Sequence, residues 1–325
     1  MNDASSGLVY AHIIAPDGGR EVRTWDEVRA WQPEQGILWV HLDADNDNAL
    51  AWLAQDSGLG AMIQEALLEL GTRPRSTVVG TGLLAIFRGV NCNPGADPED
   101  MVAIRMFITD QRIVTMRRNR VRAVQDVHDE LVSSGRPATV GEFFVAVVDR
   151  ITERIGEVVG DIEDRAAELE DTIVSAETAE LRPRLAELRR EGISLRRYIA
   201  PQRDMLTRLT HERIAWLTES DRTLLRETAE RTARYVEDID AARERALIAQ
   251  EELNSRLSEQ MNRAMYTLSI IAAVFMPLGL LTGLLGINVG GIPGTENPWA
   301  FSIVTVFLVV LAVFLIVWFK KIKWL

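Results

Sequence analysis

The sequence predicts an α/β domain followed by long α-helices and two C-terminal membrane-spanning helices, on three observations. Runs of β-branched and aromatic residues separated by turn residues fill residues 8–116. From about Val121 onward that signal gives way to helix formers. Residues 267–285 and 299–319 hold no charged side chain, and each run is long enough to cross a hydrocarbon core about 30 Å thick as a helix. A mean hydropathy of zero therefore averages two unlike parts.

The first strand is Leu8-Val9-Tyr10-Ala11-His12-Ile13-Ile14, entering a turn at Pro16-Asp17-Gly18-Gly19, and Ile37-Leu38-Trp39-Val40-His41-Leu42 is a second β-rich run. Helical periodicity follows between Leu50 and Leu70. Further strands are expected at 77–90, 101–108 and 112–116, with Asn91-Cys92-Asn93-Pro94-Gly95 and Thr109-Asp110-Gln111 as turns, giving a mixed sheet of about five strands. Residues 142–177 and 179–203 read as two long helices, with Gly135-Arg136-Pro137 and Pro201 as breakers. The last helix begins near His211 and meets no strong breaker before Pro277, so it is expected to run from water into the membrane.

These elements divide the chain into an α/β domain (1–120), a long-helix region (121–210), a stalk helix (211–266), a first span (267–285), a loop (286–298), a second span (299–319) and a basic tail (320–325). The loop has Glu296 and no Lys or Arg. Arg256 and Arg263 precede the first span, and Lys320, Lys321 and Lys323 follow the second. The positive-inside rule then places both termini in the cytoplasm and the loop outside. Met1-Asn2-Asp3 opens no basic-then-apolar segment, so no signal peptide is expected.

Before residue 267 stand 33 basic and 46 acidic side chains, a net −13. Nucleic-acid binding needs a basic surface to displace counterions from phosphates, so no nucleic acid is expected as partner. An acidic surface suits a cation, and equally suits plain solubility. One cysteine, Cys92, excludes an intrachain disulfide and a Cys-based zinc site. His12, His41, His128 and His211 form no close metal pair along the sequence, and each is expected to be an ordinary surface or partly buried histidine. The acidic stretches Asp161, Glu163, Asp164 and Glu168, Glu170, Asp171 could bind cytoplasmic metal, but the expected reading is a solvated helix face. No nucleotide loop, nucleophile–base pair or HExxH motif occurs, so an enzyme is not expected and no cofactor is called for.

On the last helix, Ala246, Ala249, Leu253, Leu257 and Ala264 share one face, as an associating helix requires. Another face, stepping four then three, carries Glu251, Ser255, Ser258, Asn262, Met265, Ser269, Ala272, Met276, Gly279, Gly283 and Gly286. It is small or polar almost throughout and continues into the span, where lipid-facing positions are normally large. Close helix packing and a pore wall both fit such a stripe. One hairpin cannot enclose a pore, but several copies giving first spans to an inner ring and second spans to an outer ring can. The second span is bulky all round and reads as lipid-facing. After the first span comes Gly286-Ile287-Asn288-Val289-Gly290-Gly291-Ile292-Pro293-Gly294, where glycines free backbone carbonyls and the Asn288 amide offers an oxygen to a cation or its water shell.

With that placement the chain resembles the CorA-type divalent metal ion transporters, whose signature is Gly-Met-Asn at the end of the first of two C-terminal spans. Gly286-Ile287-Asn288 stands there, and together with the following loop it is similar to the ZntB-type zinc transport branch. The resemblance covers the whole architecture and is most specific from Asn262 to Asn288. It implies a funnel-shaped homopentamer in a bacterial inner membrane, with the first span lining the pore. It further implies an outer Asn288 ring receiving a hydrated cation, apolar constrictions at Met276 and Met265, and a polar ring at Asn262. Ser269, Gly279 and Gly283 complete the wall, although magnesium-transporting relatives tend to have a hydroxyl residue at the level of Gly279. Glu251 matches an acidic position linked to intersubunit metal regulation, and Glu296 an acidic loop residue that attracts cations.

Zinc held by dehydrated protein ligands favours His and Cys, and the stripe and loop have neither, so a transported zinc ion is expected to pass largely hydrated. The expectation is zinc uptake, with proton coupling open. A magnesium or cobalt channel is the rival within the class, and a membrane-anchored helical scaffold the rival outside it.

Overall fold

Short runs rich in apolar, β-branched and aromatic residues, ending at Arg117, build one mixed sheet. In the computed structural model, which describes residues 7–15, 19–173, 178–287, 292, 294 and 297–321, its strands are β1 (Leu8–Ile14), β2 (Arg20–Glu21), β3 (Ile37–Asp43), β4 (Arg75–Val79), β5 (Gly82–Gly89), β6 (Val102–Ile108) and β7 (Arg112–Arg117). Their order is β2-β1-β3-β7-β6-β5-β4. The pair β3–β7 is parallel and the other neighbours are antiparallel. The sheet thus has seven strands where sequence periodicity indicated about five. Gly80, at φ 60°, turns the chain between Val79 and Gly82, so the run read as one strand becomes the β4–β5 hairpin. β2, two residues long, is too short for alternation to register.

Alternation gives the sheet two different faces. Ala11 and Ile13 of β1, Leu38, Val40 and Leu42 of β3, and Val114 and Met116 of β7 join one apolar core. That core includes Val28 of α1 (Trp25–Ala30), Trp52 and Leu53 of α2 (Asp47–Gln55), and Ile63 and Leu67 of α3 (Ala61–Leu68). Burying one such large side chain fully contributes about 1.5–3 kcal/mol. The intervening positions Tyr10, His12, Trp39, His41 and Thr115 belong to the other face, where α4 (Arg122–Ser134) supplies His128 and α5 (Val140–Ile173) packs Phe143 on Trp39 with ring centres 4.7 Å apart.

Two chain divisions, Met1–Gln250 and Glu251–Leu325, behave as separate units. In the first, α5, α6 (Thr178–Leu209) and the start of α7 (Glu219–Gly286) pack together. On α7, Leu225, Ala229, Thr232, Val236, Ile239, Ala242, Ala246 and Ala249 are buried at three- and four-residue spacing, a seam for neighbouring helices. Arg231 pairs with Asp149 of α5, and Arg196 of α6 with Asp240 at 2.6 Å. Pro201 does not end α6. An interior proline costs about 3 kcal/mol, and burial of Ile199, Met205, Leu206 and Leu209 on the same helix exceeds that. Nor does the last helix start near His211. Its cap is Thr218, whose backbone N and hydroxyl donate to the Asp221 carboxylate while Asp221 N donates to Thr218 Oγ1, so α7 opens at Glu219.

The second unit holds α7 from residue 251 and α8 (Ala300–Lys321). Among the described residues, α7 and α8 are the helices long and apolar enough to cross a membrane. Their large side chains are exposed, Phe275, Leu280, Phe301 and Phe307 among them. A surface so apolar requires lipid or another protein surface.

Candidate functional site

A helix of 68 residues at about 1.5 Å each carries the small and polar stripe along one continuous backbone. Glu251, Ser255, Ser258, Asn262, Met265, Ser269, Ala272, Met276, Gly279, Gly283 and Gly286 all lie in α7, and every one is exposed in the single chain, Met265 at 63% and Met276 at 72%. A Cβ added at Gly279, Gly283 or Gly286 would meet nothing within 4 Å. Packing against the described residues of the chain therefore does not explain these glycines. Whatever needs their smallness lies outside it.

Two hydroxyls on the stripe are satisfied locally, as Ser258 Oγ donates to the Asn254 carbonyl at 2.9 Å and Ser269 Oγ to the Met265 carbonyl at 2.8 Å. Pro277 has no N–H to donate to the carbonyl of Ala273, so that one intrahelical bond is missing within the apolar stretch. Leu253 of the associating face is buried, Leu257 half-buried and Ala264 exposed. Gly286 ends α7, and Ile287 after it is 50% exposed. Asn288, Glu296 and Lys323 lie outside the described residues.

The fold gathers three of the four histidines, which sequence spacing had kept apart. Tyr10 stacks on His128 with ring centres 3.8 Å apart and on His41 at 5.6 Å, and His12 meets His128 at 5.0 Å. The signal was the alternation that sets Tyr10 and His12 opposite His41 and Trp39 on adjacent strands. Burial holds His41 well below the ordinary histidine range, helped by Arg117 and His128. Burial, with His128, lowers His12 to about 4. The acidic stretch on α5 is neutralised in part by Arg165, which donates to both oxygens of Glu191 at 2.7 and 2.9 Å and to Asp161 at 3.4 Å. Among the described residues no group of three His, Cys, Asp or Glu side chains is arranged to hold a metal ion.

The profile of the CorA-like Mg2+ transporter protein family matches residues 34–321. The chain is 36% identical over 321 residues to the Zinc transport protein ZntB of Yersinia enterocolitica, covering 98% of this chain and 97% of the relative. It is 37% identical over 323 residues to the Divalent cation transporter CmaX of Pseudomonas aeruginosa, with the same coverage. Among solved structures, full-length CmaX superposes with a TM-score of 0.85 at 37% identity over 98% of both chains. The CorA magnesium transporter of Methanocaldococcus jannaschii shares the fold, with a TM-score of 0.82 at 18% identity over 97% of this chain and 98% of that one.

Proposed function

The chain belongs to the CorA-like Mg2+ transporter protein family, and from that membership we propose that it carries divalent cations, zinc foremost, across a membrane. Likeness along nearly the whole chain to proteins named for zinc and divalent cation transport supports the reading. The single observation that carries it is the exposed stripe of α7, whose glycines have open space beside them in or just after its charge-free stretch, residues 267–285.

The path forms when copies of the chain, five by family resemblance, bring their α7 helices around one axis. α8 then faces lipid. In this reading residues 267–285 line the pore, 286–298 form its outer mouth and 299–319 form the second span. Asn288 receives the hydrated cation, with Gly286 and Ile287 shaping the entrance and Glu296 drawing cations toward it. Met276 and Met265 narrow the path, Ser269, Gly279 and Gly283 line it, and Asn262 forms a polar ring nearer the cytoplasm. Glu251 stands at the cytoplasmic end, where a metal ion binding between subunits regulates opening. Both termini face the cytoplasm of a bacterial inner membrane, as the cationic flanks support.

Neither span holds an ionisable residue, so any coupled proton moves through a site in the loop or the first unit. Selection rests on pore size and field, because the stripe has no His or Cys to strip water from zinc. Purified chain in vesicles loaded with a zinc-sensitive dye is expected to admit zinc, and Asn288→Ala to bring uptake down to that of empty vesicles while the oligomer persists. Strong magnesium flux without zinc flux would assign the magnesium reading. An Asn288→Ala chain retaining full function would favour a scaffold.

A further inference from the structure

The meeting of His12 with His128 has no place in that pathway. His12 stands on β1 and His128 on α4, with ring centres 5.0 Å apart and planes at 62°. Two imidazoles on one tetrahedral ion, with metal–nitrogen bonds of about 2.0–2.1 Å, set their ring centres roughly 5 Å apart. His12 is 3% exposed, and its Nε2 has no hydrogen-bond partner. Buried polar atoms are nearly always paired, so a nitrogen left this way is one that a ligand such as a metal ion would satisfy. On His128, Nδ1 lies 3.0 Å from an Asp129 carboxylate oxygen, the arrangement that fixes the tautomer and leaves Nε2 as a more basic ligand. The His128 side chain is 17% exposed, which gives an ion access to the pair.

We propose that His12 and His128 clamp one divalent cation of the imidazole-preferring class, zinc foremost, and so tie β1 to α4. Magnesium prefers oxygen ligands and is excluded by the donor chemistry. No third side chain joins the pair among the described residues, so water completes the coordination. Glu21, in register with His12 on β2, is engaged with Arg23. His41 also has a partnerless Nε2, but it is fully buried with Nδ1 bonded to Thr115, and its ring contacts are with Tyr10 and Trp39 rather than with His12 or His128. The site stands whether or not the chain transports cations.

Untagged full-length chain in detergent is titrated with Zn2+ by calorimetry, and with Cu2+ by pulsed electron paramagnetic resonance, which counts bound imidazoles. Two imidazoles on one copper are expected, falling to one in His12→Gln and in His128→Gln. Losing a partner behind a ligand weakens metal binding by about 10–100-fold, so Asp129→Asn is expected near tenfold and loss of either imidazole at least 100-fold. His211→Gln should bind as the parent does, and excess Mg2+ should not displace Zn2+. His128 lies on a partly exposed helix, so its variant tests the site even if His12→Gln folds poorly. A copper spectrum without paired imidazoles, or parental Zn2+ affinity in a folded His128→Gln chain, would overturn the proposal.

Discussion

Thr115 satisfies three buried groups with one oxygen. Its Oγ1 accepts from Trp39 Nε1 at 2.9 Å, lies 2.9 Å from His41 Nδ1 and donates to the Val40 carbonyl at 3.2 Å. Thr115→Val keeps the shape and leaves the indole and imidazole unpaired, at about 1–3 kcal/mol each, so its urea midpoint should fall well below the parent's. A second outcome follows from His12. Its imidazole titrates near 4 when folded, against an ordinary 6.5, so the unfolded chain binds the extra proton between those values. Stability is complete above about pH 6.5 and is lost as pH falls toward 4. His12→Gln should flatten that part of the melting-temperature profile in metal-free buffer. Tyr10, His12, Trp39 and His41 could be placed on one face from alternation alone. The arrival of His128 could not, because it depends on how α4 docks on the sheet.

Two glycines on α5 separate packing from propensity. A Cβ at Gly156 would stand 2.3 Å from the Tyr235 hydroxyl of α7, whereas one at Gly160 meets nothing within 4 Å. Alanine in a helix interior is favoured over glycine by about 1 kcal/mol, while overpacking costs about 1–3 kcal/mol. Gly160→Ala should therefore raise the melting temperature and Gly156→Ala lower it. From sequence these glycines look alike. Local patterns could mark the apolar runs and the stripe of α7, because both repeat within a few turns of one helix. Pro201 misled for the opposite reason, since the contacts that carry α6 past it come from residues distant in the chain.

Among the described residues two helices are apolar enough to cross a membrane, and their large side chains there are exposed, which is why the proposed path is built from several copies. Mass measurement in detergent is expected to give five times the chain mass of 36.4 kDa. The division of charge between the acidic first 266 residues and the uncharged spans was readable by counting. The seven-strand order was not, because a parallel pair leaves no local mark. That pair also sets a timetable. β3 joins the rest of the sheet only through β7, with Leu38 beside Arg112, so the N-terminal strands must wait for β7 to leave the ribosome before their sheet can close. The apolar end of α7 and then α8 are made well after β7, when every strand of the α/β sheet is already outside. The protein can thus finish the sheet in water before the bilayer claims its apolar helices.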